Sequence, residues 1–332
     1  MKRIVYIGNN LSNQNPTSLV LLAALLKENN FNITVYSNKQ NKLFRLIHMC
    51  WGVLKNRKAD YILIDTYSTL NFYYALITSQ LARLYSIKYI TIVRGGNLPI
   101  RLDLTPKLCR LIFKNAYNNV VLSNYLLNEF KKYGYHTILI SNTIQLKKYP
   151  IKKRICLEPK LLWVRAFDTI YNPEMAVKVL FEVKSKYSNA SLCMVGPDKD
   201  GSLYKVKELA KKLKVFNSIE FTGFLSKKEW IKKSQAFDIF INTTNIDNTP
   251  MSVIEAMALG LTVISTNVGG IPYLIEDGVD GILVDKADYK LMADQIIKLI
   301  EENNQLLAEN AREKVESFDS SEVVKRWMKL LN

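Results

Sequence analysis

Ile239-Phe-Ile-Asn-Thr-Thr-Asn-Ile-Asp247-Asn-Thr-Pro250-Met-Ser-Val-Ile-Glu255-Ala-Met-Ala-Leu-Gly260-Leu-Thr-Val-Ile-Ser265 is the stretch on which the fold turns. Ile239 to Ile241 form a short apolar run suited to a buried strand, and Pro250 stands just before an Ala/Met/Leu/Glu-rich run, where its fixed φ suits a first helical turn. Gly260 supplies the permissive residue that ends that helix, and Leu261 to Ser265 form a second β-branched strand. A strand-helix-strand unit results, the building block of an α/β fold with a parallel sheet. Amides at the start of such a helix point into the crevice at the carboxyl ends of the strands, where the macrodipole favours an anion such as phosphate. Glu255 is the one carboxylate inside the helix, and Asp247 lies eight residues upstream in the loop.

Outward from this unit, 332 residues with an apolar fraction of 48% suffice for two domains with real cores. The 46 Lys/Arg against 30 Asp/Glu give a formal charge of +16, which suits nucleic acid, an anionic membrane face or polyanionic ligands and says nothing of fold. Cys50, Cys109, Cys156 and Cys193 are scattered without zinc-ligand spacing, so reduced thiols and a cytosolic compartment are expected. The N-terminus enters a strand ending at Gly8 without a signal-peptide core, and no apolar run approaches the roughly 20 residues of a spanning helix. We expect a cytoplasmic protein, soluble or peripheral at the inner face of the plasma membrane.

Strand candidates at 4–7, 32–36, 61–64, 89–93, 120–122 and 137–140 alternate with helical stretches, the largest at 17–29, 69–86 and 105–116. A polar, basic stretch from Asn142 to Pro159 follows. Strands at 161–164, 192–195 and 219–222 then alternate with helices from Pro173, at 203–214 and at 226–235; the opening unit follows, and a strand at 282–284 and helices at 287–302, 304–316 and 320–331 complete the series. The expected division is an N-terminal Rossmann-like domain over 1–145, a linker over 146–159, a C-terminal Rossmann-like domain over 160–316, and a last helix over 317–332 that crosses back to the first domain. A nicotinamide-binding protein would share this rhythm, but its fingerprint needs Gly-x-Gly-x-x-Gly after the first strand. Here that turn has Gly8 alone, Gly95-Gly96 and Gly269-Gly270 lack a third glycine at the right spacing, and no Walker lysine motif occurs.

The pattern Asp247-x7-Glu255 followed by Ala256-Met-Ala-Leu-Gly260 resembles the nucleotide-sugar signature of family 4 (group 1) retaining GT-B glycosyltransferases. The similarity continues in Asn267-Val-Gly269-Gly270-Ile-Pro272 and Asp280-Gly281-Ile-Leu-Val284. In the first half, Asp65-Thr-Tyr-Ser68, Arg94-Gly-Gly-Asn-Leu-Pro99 and Asn15-Pro-Thr-Ser18 look like a bacterial cell-surface polysaccharide subgroup. The resemblance implies a GT-B fold, two Rossmann-like α/β domains facing a central cleft, with the acceptor on the first domain and the nucleotide-sugar on the second. It implies transfer of a sugar, from a UDP-sugar foremost, to a glycan or lipid-linked acceptor, with retention of configuration and without a metal or other cofactor.

By the same resemblance, Glu255 accepts hydrogen bonds from ribose hydroxyls, a task suited to an acceptor-only carboxylate. A helix-start carboxylate held by the dipole is its bland counterpart. Asp247 faces the transferred sugar where the family more often has glutamate; otherwise it caps a loop. Thr249, Pro250, Met251, Ser252 and Val253 form the helix start on the diphosphate, and Arg165 supplies a cation to it as leaving-group charge develops. Where the family places a lysine, the chain reads Tyr171-Asn172-Pro173, and either Lys227 or Lys228 is left to substitute. Gly196, Pro197, Gly223 and Phe224 end consecutive strands and line the nucleotide cleft. On the acceptor side stand Asn13, Thr17, Gly95, Gly96 and Asn97, preceded by Arg94 where the subgroup usually has histidine; an arginine binds phosphate or sugar oxygens but is no general base.

Asp198-Lys-Asp200 carries the spacing of a manganese site in another glycosyltransferase fold, yet it follows a Gly-Pro turn and precedes Gly201, as a solvated loop does. Only His48 and His136 are available as imidazoles, and both read as structural. Residues 39–58 carry six Lys/Arg, no acidic residue, and interleaved aromatic and aliphatic side chains. That composition fits either an interfacial helix on anionic lipid or a core-facing helix with a solvated basic face. Two rivals stand beside transfer. A nucleotide-sugar epimerase of GT-B fold would need histidine and carboxylate acid-base groups in its cleft. A basic nucleic-acid-binding protein would cluster its cations in a groove, whereas here they spread over both halves.

Overall fold

A computed structural model describes residues 1–10 and 17–332 of the chain. They form two compact units, Met1–Ile144 with Phe318–Asn332, and Gln145–Ser317. Each is built on a six-stranded sheet in which every recorded pairing is parallel.

The first sheet comprises β1 (Arg3–Ile7), β2 (Asn32–Tyr36), β3 (Tyr61–Thr66), β4 (Tyr89–Val93), β5 (Asn118–Val121) and β6 (Thr137–Leu139), in the order β2-β1-β3-β4-β5-β6. Successive side chains serve opposite faces. Ile4, Tyr6, Leu63, Ile90 and Ile92 pack with Leu22 and Leu26 of helix Ser18–Glu28 and with Val323, Trp327 and Leu331 of helix Ser320–Leu331. Val5, Ile7, Ile62 and Ile64 face the other way, onto Met49 and Val53 of helix Lys42–Lys55 and Tyr74 and Ala75 of helix Asn71–Leu84. The last helix is stitched in by its backbone: Ile144 N–H donates to Phe318 O (3.0 Å) and Ser320 N–H to Ile144 O (2.8 Å).

The second sheet comprises β7 (Lys160–Val164), β8 (Ser191–Val195), β9 (Ile219–Gly223), β10 (Ile239–Asn242), β11 (Thr262–Thr266) and β12 (Ile282–Val284), in the order β12-β11-β10-β7-β8-β9. The central strands β10 and β11 are buried throughout, as a sheet covered on both faces requires.

Two stretches differ from the expected outline. The helix expected at 105–116 spans Pro106–Phe113, and an unexpected helix, Leu98–Leu104, precedes it, the two separated at Thr105 because Pro106 disfavours helical geometry there. The stretch after Ile144 is built into the second unit. Buried Arg154 donates to the carbonyls of Lys152 (2.9 Å), Phe237 (2.8 Å) and Gly260 (2.7 Å) and pairs with Asp238 (3.2 Å). Its polar, proline-bearing composition reads as a tether, yet each charge in it that is buried has a partner. Among the described residues no helix is long and apolar enough to cross a membrane.

Candidate functional site

In the second unit, the loop leaving β10 leads through Asp247 to helix Met251–Ala258. Pro250 is the residue before the helix (φ −67°, ψ 116°), not its first turn, and no side chain caps the helix start. The first-turn amides have no intrahelical acceptor. The amide of Val253 turns back onto Pro250 O (3.1 Å), while the buried Ser252 hydroxyl has no partner among the described residues. The loop before the helix is clamped by Gly269 and Gly270. A Cβ on Gly269 would lie 2.1 Å from Asp247 O, and one on Gly270 2.0 Å from Asn248 O, so only glycine lets the two backbones approach.

Arg165, at the end of β7, pairs with Asp247, whose other carboxylate oxygen accepts from the Asn248 amide (2.8 Å). The guanidinium also lies over the Tyr171 ring, 4.7 Å from its centroid, and its buried Nε–H has no partner among the described residues. Glu255, 4% exposed, accepts at Oε1 from Tyr149 Oη (2.8 Å) and from Lys227 Nζ. Burial, then the Glu255 carboxylate, holds the Tyr149 phenol neutral far above its ordinary range. Of the two candidate substitutes for the absent lysine, Lys227 is the one bonded to Glu255. Tyr149 carried no local signal in the sequence, since its contact with Glu255 spans 106 residues.

Gly196 has φ +152°, and a Cβ there would meet Arg165 O at 1.8 Å; its amide donates to Gly223 O (2.9 Å). The strand ends carrying Arg165, Gly196 and Gly223 are thus laced together, with Pro197 exposed beside Gly196 and Phe224, 51% exposed, following Gly223. Asp198 and Asp200 serve the local turns. Asp200 accepts from Thr169 N–H (2.8 Å) and Oγ1 (2.7 Å) and from Ser202 N–H (3.0 Å), bonds that hold its carboxyl well below the usual carboxylate range. Among the described residues no three His, Cys, Asp or Glu side chains are grouped to hold a metal ion.

In the first unit, Asn13 lies outside the described residues. Thr17 caps helix Ser18–Glu28, accepting from Val20 N–H (3.4 Å). Gly95, Gly96 and Asn97 form the turn into helix Leu98–Leu104, with Leu98 N–H donating to Gly95 O (3.1 Å). Arg94 is engaged on three sides. Its Nε donates to Asp65 Oδ1 (2.6 Å), Nη1 to Asn142 Oδ1 (3.1 Å) and Nη2 to Tyr6 Oη (2.9 Å), while Tyr6 donates to Asp65 (3.0 Å). Burial pushes the Asp65 carboxyl up against the pull of Arg94 and Tyr6, and it pushes the Tyr6 phenol well up. His48 packs edge-on to Tyr36, with ring centroids 5.1 Å apart.

A family model described as glycosyl transferases group 1 matches residues 148–316, just over half of the chain. N-acetyl-alpha-D-glucosaminyl L-malate synthase of Bacillus anthracis is 28% identical over 261 residues, 73% of this chain and 66% of that protein. The capsular polysaccharide biosynthesis glycosyltransferase CapM of Staphylococcus aureus is 34% identical over 95 residues, 28% of this chain and 24% of that protein. The chain thus spans less than two thirds of either relative. Among solved structures, Anabaena Alr3699/HepE in complex with UDP and glucose superposes with a TM-score of 0.79 at 16% identity, covering 100% of this chain and 99% of that one. Sucrose-phosphate synthase from Thermosynechococcus elongatus does so at 0.82 and 14% identity, covering 99% and 98%. At these identities the likeness establishes the fold, GT-B. The chain belongs to the group 1 glycosyltransferases.

Proposed function

We propose that this glycosyltransferase moves a sugar from a nucleotide-sugar, a UDP-sugar foremost, to a glycan or lipid-linked acceptor in cell-surface polysaccharide synthesis, with retention and without a metal. The observation that carries the donor assignment is the uncapped start of helix Met251–Ala258, with the unpartnered Ser252 hydroxyl in its first turn and Glu255 one turn on. Amides and the hydroxyl of that turn suit a diphosphate. Glu255 accepts only, so what meets it must donate, as ribose hydroxyls do. Asp247 is directed to the transferred sugar, and Arg165 and Lys227 supply fixed positive charge where the leaving diphosphate becomes more anionic. The acceptor hydroxyl attacks the anomeric carbon as the bond to the diphosphate oxygen breaks, and its proton passes to the departing phosphate, so no imidazole is needed. The solved HepE complexes with UDP and UDP-glucose, and the capsular role in CapM's name, support the donor and pathway chosen. We place the enzyme in the cytoplasm.

A panel of UDP-, GDP- and other nucleotide-sugars, screened by thermal stabilisation and then by turnover with and without EDTA, tests this reading. A UDP-sugar should stabilise and turn over equally with chelator, with the product keeping the donor's anomeric configuration by NMR. Glu255→Gln should keep the fold and lower kcat/KM for the donor by roughly 10- to 100-fold, the range for lost hydrogen bonds to a charged group. Full activity in Glu255→Ala would remove the ribose assignment, and a chelator-sensitive reaction the metal-free mechanism.

A further inference from the structure

Helix Lys42–Lys55 in the first unit has two apolar sides. Met49 and Val53 are buried against the sheet, while on the opposite side Leu43, Phe44, Ile47 and Trp51 are 65%, 62%, 53% and 56% exposed. The neighbouring helix, joined to it by the Tyr74 hydroxyl donating to Lys42 O (3.0 Å), repeats the pattern: Leu70, Tyr73 and Ile77, spaced to share one stripe, are 45%, 42% and 39% exposed. Large apolar side chains exposed in this number on adjoining helices mark an interaction surface.

The charge around them is one-sided. From Asn29 to Leu102 the chain has ten Lys/Arg and two acidic residues. Of those two, Asp65 is buried against Arg94, and Asp60 accepts from the backbone N–H of Arg3 (2.7 Å). Lys39 is exposed and lines the same surface as Phe44, Ile47 and Trp51, and exposed Lys55 stands one turn after Trp51 on that side of the helix. A second copy would set one basic face against another. A nucleic acid would answer the charge but leave Leu43, Phe44 and Ile47 in water. An anionic bilayer answers both.

We propose that this face docks on an anionic lipid bilayer. Phe44, Ile47 and Trp51 enter the headgroup–acyl boundary, the helix lies in the interface plane, and the lysines rest over lipid phosphates. The docking does not depend on the sugar-transfer reading.

The chain carries its own probe. Of its four tryptophans, Trp163, Trp230 and Trp327 are 0%, 2% and 2% exposed and Trp51 is 56% exposed, so fluorescence changes on adding lipid report on Trp51. With the full chain and phosphatidylglycerol-containing vesicles at low salt, the emission should shift to the blue, acrylamide should lose access, and brominated acyl chains should quench. Phosphatidylcholine vesicles should do none of this. Raising salt from about 0.1 to about 0.5 M should weaken binding at least about tenfold, because screening shortens the reach of the lysines. Each cation near such a surface contributes roughly a fivefold factor, so the double variant Lys39→Gln/Lys55→Gln should bind roughly 25-fold more weakly. Trp51→Phe should still co-sediment but lose the optical signal. Phe44→Ser/Ile47→Ser, changed only at exposed positions, should keep its melting temperature and lose binding. The proposal is overturned if Trp51 stays open to acrylamide beside anionic vesicles at low salt. Equal binding to neutral vesicles overturns it too, as does a lipid-free dimer in which Trp51 is already shielded.

Discussion

Arg94 opposes the upward push that burial gives the Asp65 carboxyl. Asp65 is 7% exposed, and its carboxyl is displaced upward by burial and drawn back by Arg94 and Tyr6. Removing one partner of such a pair leaves an unpaired buried charge, so Arg94→Met should cost about 3–5 kcal/mol at neutral pH. The sign of its pH dependence follows from the direction of the shift. A carboxyl whose folded-state value lies above its unfolded value favours the fold when protonated, and that contribution is lost as pH rises through the folded-state value. The Arg94→Met penalty should therefore be largest near neutrality and shrink as pH falls toward the ordinary carboxylate range. Urea denaturation of both proteins across that window measures it. A penalty that grows toward acid would mean that Arg94 does not act through Asp65. Nothing in the sequence announced this hub, because Tyr6, Asp65, Arg94 and Asn142 come from four separate segments. Asp247 and Glu255 were legible because their spacing is local; Tyr149 and Lys227, which meet at Glu255, are brought there by the fold alone.

At the scale of elements, backbone approach sets the geometry of the donor-side loop. Gly269 has φ +57° and Gly278 φ +75°, but a Cβ on Gly269 would strike Asp247 O whereas one on Gly278 meets nothing within 4 Å. Gly278→Ala should thus cost only the left-handed backbone term, about 1–2 kcal/mol. Gly269→Ala should cost more than that and displace Asp247. Denaturant titration compares the two, and the thermal stabilisation conferred by UDP reports the loop; it should fall in the Gly269 variant alone. Equal stabilities would show that the loop yields to the methyl group. The strand-helix-strand unit around this loop was readable from Pro250, the helix-forming run and Gly260, with the helix beginning one residue later than the proline suggested. Helix Leu98–Leu104 was not among the expected helices; its proline stands in the first turn, where it gives up no helical hydrogen bond.

At the scale of the whole molecule, the chain's last residues complete the first unit's core and not that of the unit that precedes them in sequence. Val323, Trp327 and Leu331 are 1%, 2% and 0% exposed among Ile4, Leu22 and Leu26, and Lys2 Nζ donates to the terminal carbonyls of Leu331 (2.5 Å) and Asn332 (2.9 Å). A last helix crossing back to the first domain is expected from the sequence, and the contacts name the side chains it meets there. Trp327→Ala empties a large fully buried site, which should cost about 3–5 kcal/mol. For a unit of this size that lowers the melting temperature by roughly 10 °C, at about 2–4 °C per kcal/mol. Every donor-side residue named above lies in Gln145–Ser317, whose core this substitution does not touch. Calorimetric titration with UDP at 25 °C should therefore give a Kd within about twofold of the parent, a difference below RT ln 2 or about 0.4 kcal/mol. A variant that melts early yet binds UDP normally assigns the last helix to the stability of the first unit. One that loses UDP binding while still folded would give that helix a part in the donor site.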